Sequence, residues 1–305
     1  MNLFTASIDD WTSWAQVFQS IKAFEPLVKQ IFKQHSLPFS EIEQCIPGTH
    51  AVFKVGSCVV KILAPEESGW NTRSDYVTEL FGLERANKLG IPVPKLLACG
   101  SVEDQYRFFY LVTEYVPGSS LSRIGDRLSD FEKREYGRQL REITERMHTP
   151  CERFNEVDII ARGLASERWH RFSASFQQER HECLMQYQVT APVYVHGDLT
   201  GDNVILSPSG TLFIIDFADA VLAPAEYELP SLMFELFKFD KAYFEGYFGE
   251  YDPSELVEKC CGALLVHDFG SDMIGNLWDI NEITSLAELK ERLYRNMPDS
   301  GLSVG

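Results

Sequence analysis

The stretch His196-Gly197-Asp198-Leu199-Thr200-Gly201-Asp202-Asn203 gathers an imidazole, two carboxylates and a carboxamide, and Asp216 follows 13 positions after Asn203. Between them lie two apolar, β-type runs, Val204-Ile205-Leu206 and Thr211-Leu212-Phe213-Ile214-Ile215, joined through Ser207-Pro208-Ser209-Gly210. A tight hairpin pairing Leu206 with Phe213 sets Asn203 opposite Asp216, and directly opposed residues lie about 5 Å apart at Cβ. An amide oxygen and a carboxylate so placed can converge on one hard cation. Magnesium takes such oxygen ligands and keeps waters and phosphate oxygens in its other positions. Asp198 stands on the loop just ahead of the hairpin, within reach of the same place and available as a base.

An H-x-D-x-x-x-x-N run with a later Asp is the layout of a phosphoryl-transfer site, the first Asp taking the acceptor's hydroxyl proton and the Asn and second Asp holding metal. With Val195-His196-Gly197-Asp198 and Ile215-Asp216-Phe217, the chain resembles the aminoglycoside phosphotransferase family, whose motifs read H-G-D-x-x-x-x-N and I-D-[FW]. The resemblance implies an α/β, two-lobed protein-kinase-like fold, with a small β-sheet N-lobe, a larger helical C-lobe, and ATP or GTP with Mg2+ bound between them. It makes Asp198 the catalytic base, Asn203 and Asp216 the metal ligands, and His196 a brace for the loop. Asp202, beside Asn203, can position the acceptor or stabilise the turn.

A kinase-like small lobe also needs a strand lysine for the α/β-phosphates and a helix glutamate to orient it. Lys61 sits mid-run between Val60 and Ile62. The family pattern, a glutamate ahead of a Pro-x-Pro entry to the next strand (here Pro92-Val93-Pro94), points to Glu79, with Glu84 the other acid on that helix. Gly48-Thr49-His50-Ala51-Val52-Phe53 falls where the family has its phosphate-covering loop, so that Thr49 is a candidate nucleotide contact; a plain turn is the alternative. Glu114-Tyr115-Val116 matches the hinge on which family members bind adenine through backbone groups, which selects Glu114 and Val116.

The elements that must position these residues are legible in the periodicity. Residues 9–34 carry Trp11, Trp14, Phe18, Ile21, Leu27, Ile31 and Phe32 at steps near three and four, which predicts one or two amphipathic helices. Ala51–Val55 and Cys58–Leu63 flank Gly56-Ser57 as a hairpin. Residues 74–89 predict a helix with Tyr76, Leu80, Leu83 and Leu89 inward, ended by Gly90 and Pro92. A β run over 107–116 stops at Pro117-Gly118, which gives a nucleotide-binding lobe over 1–116 and a helical lobe with the catalytic loop and acceptor site over 117–305. Ser129 with Glu132 is a capping box, and Tyr136, Leu140, Ile143 and Met147 form one apolar helix face behind it.

The whole chain, 305 residues with 45% hydrophobic and 24% charged, has the make-up of a globular protein with a real core. Its formal charge is −17, a field that repels duplex nucleic acid and anionic membranes. From Asp216 onward there are 18 acidic and 6 basic residues, so a ligand bound there is expected to be a cationic small molecule. Asp202, Asp219, Glu235 and Asp268 are the acceptor candidates, from a set that also includes Glu226, Glu228, Asp240 and Asp272. Carboxylates facing ammonium groups make strong charge-assisted hydrogen bonds. The seven cysteines show no C-x-x-C spacing and read as free thiols. The N-terminus lacks a basic, apolar leader and no uncharged apolar run approaches the ~18–20 residues of a membrane span, so a cytoplasmic monomer is expected.

The resemblance covers residues 46–237, and Tyr227-Glu228 leading into an aromatic helix looks more like the hygromycin branch than the kanamycin branch. The expected function is transfer of a γ-phosphate to a hydroxyl of a cationic small molecule, an aminoglycoside first, with antibiotic resistance as its consequence. The rivals are a metabolite kinase of the same fold acting on choline, homoserine or methylthioribose, and a nucleotide-binding scaffold without turnover. A protein kinase fits less well: His196-Gly197-Asp198 lacks the arginine of H-R-D, and Asp216-Phe217-Ala218 is not D-F-G.

Overall fold

A computed structural model describes residues 3–46 and 48–298, which separate into two compact units: the chain up to Lys88 with Pro92–Pro117, and Leu89–Ile91 with Gly118 onward. The first unit opens with α1 (Trp11–Val17) and α2 (Ile21–Gln34), capped by Asp10 and Ser20. Its strands are β1 (Ile42–Gln44), β2 (Ala51–Val55) and β3 (Cys58–Ile62), then β4 (Leu96–Glu103) and β5 (Arg107–Glu114) after helix α3 (Thr72–Lys88). They form one antiparallel, five-stranded sheet in the order β1-β2-β3-β5-β4.

Alternation along β3 decides which side chain does what. Val60 and Ile62 are fully buried in a cluster with Phe24, Leu27 and Ile31 of α2 and with Phe53, Phe108 and Tyr110. The pleat sends odd and even residues to opposite faces, so Lys61 points away from that cluster. Helix α3 lies against β5 and buries Thr72, Thr78, Glu79, Gly82, Leu83 and Ala86. The expected inward set is corrected in part: Leu83 is buried, Tyr76 and Leu80 are only half-buried on the helix, and Leu89 is half-buried beyond its end. Trp11 is likewise outside the core, its ring tilted against Trp70 with centroids 4.9 Å apart.

The second unit begins with β6 (Ser119–Ser120), α4 (Leu121–Ile124) and the long α5 (Asp130–Met147). The Ser129/Glu132 capping box is formed, and Leu140, Ile143 and Met147 are buried beneath it. After α6 (Ile159–Ala165) and α7 (Ala174–Gln186) come four short strands, β7 (Val193–Val195), β8 (Val204–Leu206), β9 (Leu212–Ile214) and β10 (Val221–Ala223). Helices α8 (Lys241–Phe248), α9 (Pro253–Val266), α10 (Gly270–Leu277) and α11 (Leu286–Asn296) complete it. Strand β10 pairs with β7, and β6 joins the β8–β9 hairpin; neither addition is evident from runs of two or three residues. Among the described residues no helix is long and apolar enough to cross a membrane.

The hairpin register differs from the expected one by a single position. Leu206 pairs with Leu212 and Val204 with Ile214, and the Ile215 N–H donates to the Asn203 carbonyl at 3.0 Å. The cause is the connection: Ser207 N–H donates to Thr211 O at 3.0 Å, which closes the loop one residue earlier. Asn203 therefore faces Ile215, not Asp216.

Candidate active site

Strand β7 ends at Val195, and the chain turns at once. His196 is wholly buried against Phe217, ring centroids 4.9 Å apart. Its Nδ1 accepts from the Asp198 N–H at 3.3 Å, so the ring proton is on Nε2, 3.1 Å from the Ile215 carbonyl oxygen. One imidazole thus ties the Asp198 loop to the end of β9, leaving neither nitrogen for proton transfer. Gly197 has φ +80, and a Cβ there would lie 2.3 Å from the Asp219 carbonyl oxygen. Only glycine satisfies both conditions.

The loop is also held from behind by Glu228, which is 1% exposed. Its carboxylate accepts from the His196 N–H at 2.9 Å and the Gly197 N–H at 3.1 Å, with His148 Nε2 at 3.4 Å. Burial alone would raise this carboxyl; the hydrogen bond and charge of His148, with His196, outweigh it and hold it below the usual glutamate value. From sequence alone Glu228 is one acid of the acceptor side and His148 has no role; neither shows a local signal, since Glu228 meets the His196 and Gly197 N–H groups from 32 and 31 positions downstream and His148 is a helix C-cap.

Asn203 ends a 3-10 turn over Gly201–Asn203 and is 8% exposed. Its Nδ2 donates to both the backbone O and Oδ2 of Asp198, each at 2.8 Å. With the amide nitrogen so committed, Oδ1 is the atom left to meet a cation. Asp216 follows β9 in the left-handed region, φ +64, a conformation uncommon for non-glycine residues and more accessible to Asp and Asn than to most. That turn, and not a place opposite Asn203 in the ladder, brings its charge to bear on Asp198. The Asp198 carboxyl is raised to about 8 by burial first, then by the charges of Asp219 and Asp216, with the Asn203 hydrogen bond opposing. A hard-oxygen pair among clustered carboxylates suits a magnesium ion that draws its other ligands from phosphate and water. No group of three or more His, Cys, Asp or Glu side chains among the described residues forms a metal cage of its own.

The acceptor candidates separate in the structure. Asp219 is half-buried beside Gly197. Glu235 is half-buried on a π-helical turn, Ser231–Leu236, that packs on the Gly201–Asn203 turn. Asp202 is exposed, and its carboxylate accepts from Ser122 Oγ. Asp268 is not drawn to Asp198 by any hydrogen bond: its Oδ2 lies 3.9 Å from Arg162 and its N–H donates to the Tyr227 hydroxyl. Asp240 caps α8 and pairs with Lys133 at 2.6 Å, while Asp272 pairs with Arg168 and Arg171. A cavity of about 420 Å³, lined in part by His148, Glu226, Glu228 and Tyr251, contains none of Asp198, Asn203, Asp216, Asp219 or Glu235.

In the first unit, Lys61 Nζ lies 3.1 Å from Glu79 Oε2, with both side chains largely buried, while Glu84 is exposed on another face of α3. Thr49 is exposed in the loop before β2, and its carbonyl accepts from Trp14 Nε1 at 3.0 Å. His50 is buried, its Nδ1 accepting from the Ala64 N–H. Glu114 closes β5, and its N–H is used by the Lys95 carbonyl. Val116 lies beyond the strand, with its own N–H outside the ladder.

A family profile described as the phosphotransferase enzyme family matches residues 59–257. No curated protein sequence matches the chain. Among solved structures, the GDP complex of aminoglycoside 2'-phosphotransferase-IIIa is 18% identical, covers 88% of this chain and 98% of its own, and superposes with TM-score 0.59. A thermostable mutant of aminoglycoside phosphotransferase APH(4)-Ia, in ternary complex with ADP and hygromycin B, is 15% identical over 90% of this chain and 99% of its own, TM-score 0.58. Choline kinase LicA from Streptococcus pneumoniae is 15% identical over 90% of this chain and 98% of its own, TM-score 0.55. The fold is the protein-kinase-like α/β fold of these kinases, as the resemblance implied.

Proposed function

Because the chain belongs to the phosphotransferase enzyme family, we propose that it transfers the γ-phosphate of ATP or GTP to a hydroxyl of a cationic small molecule. The observation that carries this reading is the Asp198–Asn203 contact at 2.8 Å beside Asp216, an acid and two hard-oxygen ligands on one braced loop system. Asp198 holds the acceptor hydroxyl in line and takes its proton as the new P–O bond forms and the bond from the γ-phosphorus to the departing nucleoside diphosphate breaks. Asn203 Oδ1 and the Asp216 carboxylate hold magnesium, which when bound supplies neutralisation of phosphate charge. Lys61 binds the α/β-phosphate oxygens, Glu79 holds its ammonium in place, Thr49 lies on the phosphate-covering loop, and Glu114 and Val116 offer backbone groups to the base. Asp219 and Glu235 face the acceptor's ammonium groups.

An aminoglycoside is the first acceptor in this reading, and resistance would follow from its modification. A metabolite amino alcohol is the second, and one observation favours it: Asp240, Asp268 and Asp272 already lie beside Lys133, Arg162, and Arg168 with Arg171. A polycation needs many carboxylates, whereas an acceptor with one or two ammonium groups does not.

Nucleotide consumption with hygromycin B, kanamycin, choline, homoserine and methylthioribose tests the reading, with Asp198→Asn as control. Turnover that vanishes in the control assigns both acceptor and base; nucleotide binding without turnover on any hydroxyl acceptor would leave the scaffold reading. Glu79→Ala, which removes the acceptor of the Lys61 ammonium, is expected to lower kcat/KM for nucleotide by about 10- to 100-fold, the effect of a hydrogen bond to a charged group worth about 1.5–3 kcal/mol. Glu84→Ala should leave it unchanged, and the reverse ranking in a nucleotide titration would move the partnership to Glu84.

A further inference from the structure

The turn that carries Asn203 is gripped from outside the catalytic motif. Ser119 and Ser120 of β6 pair with Leu206 and Ile205 of β8, directly downstream of Asn203. The next residue but one, Ser122, lies against the turn itself: a Cβ on Gly201 would be 3.0 Å from Ser122 N and 3.2 Å from its Cα. Ser122 Oγ donates to the Asp202 carboxylate, so the contact of 2.9 Å between Ser120 and Ser122 has the buried Ser120 as donor. The turn also packs on the Ser231–Leu236 helix.

We propose that Asp202 is a positioning residue and not an acceptor ligand: through Ser122 it locks the Gly201–Asn203 turn and so sets the direction of the Asn203 carboxamide. The inference rests on the reading of Asn203 as a magnesium ligand. An unsecured carboxylate next to Asn203 would compete for the same cation and rotate the turn toward it. Ser122, its hydroxyl oriented by Ser120, gives that carboxylate another partner. Because Asn203 also holds the Asp198 side chain, slack in the turn loosens base and ligand together. Outer partners that orient metal ligands typically matter by 10- to 100-fold in affinity or activity.

Manganese binding to the protein–ADP complex, followed by electron paramagnetic resonance, tests this without turnover. Ser122→Ala and Asp202→Ala should each weaken manganese binding by about 10- to 100-fold, and the double variant should be no worse than either single one. Asp202→Asn, whose amide oxygen can still accept from Ser122, should keep most of the affinity, and KM for the acceptor should stay level throughout. Manganese affinity intact in Ser122→Ala, or a raised acceptor KM with intact manganese affinity in Asp202→Asn, would overturn the proposal. Should Ser122→Ala melt early, the contrast between Asp202→Asn and Asp202→Ala decides, since both retain Ser122. Wild-type protein that binds nucleotide but no manganese would sink the magnesium reading and this inference together; wild-type binding with unaffected variants sinks only this inference.

Discussion

Replacing Asp198 with asparagine is expected to lower turnover by about 10²- to 10⁴-fold, the range of positioned acid–base catalysis, while nucleotide affinity changes little. The substituted amide keeps an oxygen for the Asn203 Nδ2 that now binds Asp198 Oδ2, so the loop should hold its shape. The same substitution should raise stability. Burial and the charges of Asp219 and Asp216 lift the Asp198 carboxyl from the ordinary 3.8 to about 8. Between those values the folded state binds a proton that the unfolded state has released, so ionisation of Asp198 erodes stability as pH rises through that window. In magnesium-free buffer the variant should therefore melt higher than wild type, by a margin that grows from pH 5 to pH 9. Equal turnover would remove Asp198 from the chemistry; a variant melting below wild type at pH 9 would refute the charge account.

Glu228→Ala should be the more damaging change to the fold. It strips the acceptor from two buried N–H groups, those of His196 and Gly197, and leaves His148 without its carboxylate. At about 1–3 kcal/mol for each buried group left unsatisfied, the loss is about 2–6 kcal/mol, a large part of the 5–15 kcal/mol of a typical domain. Urea unfolding measures it directly, and a loss below about 1 kcal/mol would show that water replaces the carboxylate. Glu228→Gln should be intermediate, because an amide can accept from one N–H but presents a donor to the other. The acid limb is a second readout. Since Glu228 titrates below the ordinary glutamate value, its contribution is complete above that value and disappears as pH falls through its own lower one. Glu228→Gln should flatten that part of the stability profile, and an unchanged acid limb would argue against an ionised Glu228.

What could be read from the chain alone was set by short-range physics. Cys58–Ile62 is legible as a strand with Lys61 in mid-run, and the structure turns Lys61 away from the apolar cluster, beside Glu79. The Ser129/Glu132 capping box starts α5 within one local turn. The His196–Asn203 motif carries its own chemistry because all its members sit on one loop. The resemblance that this motif carries implied the family and the fold class that the comparisons show, and it named Asp198 as the candidate base.

Tertiary structure alone decided the rest, and in each case the deciding contact spans many residues or depends on a single step of register. The hairpin closes through Ser207 and Thr211 one residue earlier than hydrophobic matching suggests, so Asp216 approaches Asp198 by a left-handed turn and not across a ladder. Glu79 and Glu84 are both acids on α3, and only packing against the sheet shows which one is turned inward. Acidic residues after Asp216 look alike in a charge count, yet Glu228 is a buried brace and Asp272 a partner of Arg168 and Arg171. A carboxylate's role depends on what lies within about 4 Å of it, and for Asp202 that is a serine 80 positions upstream.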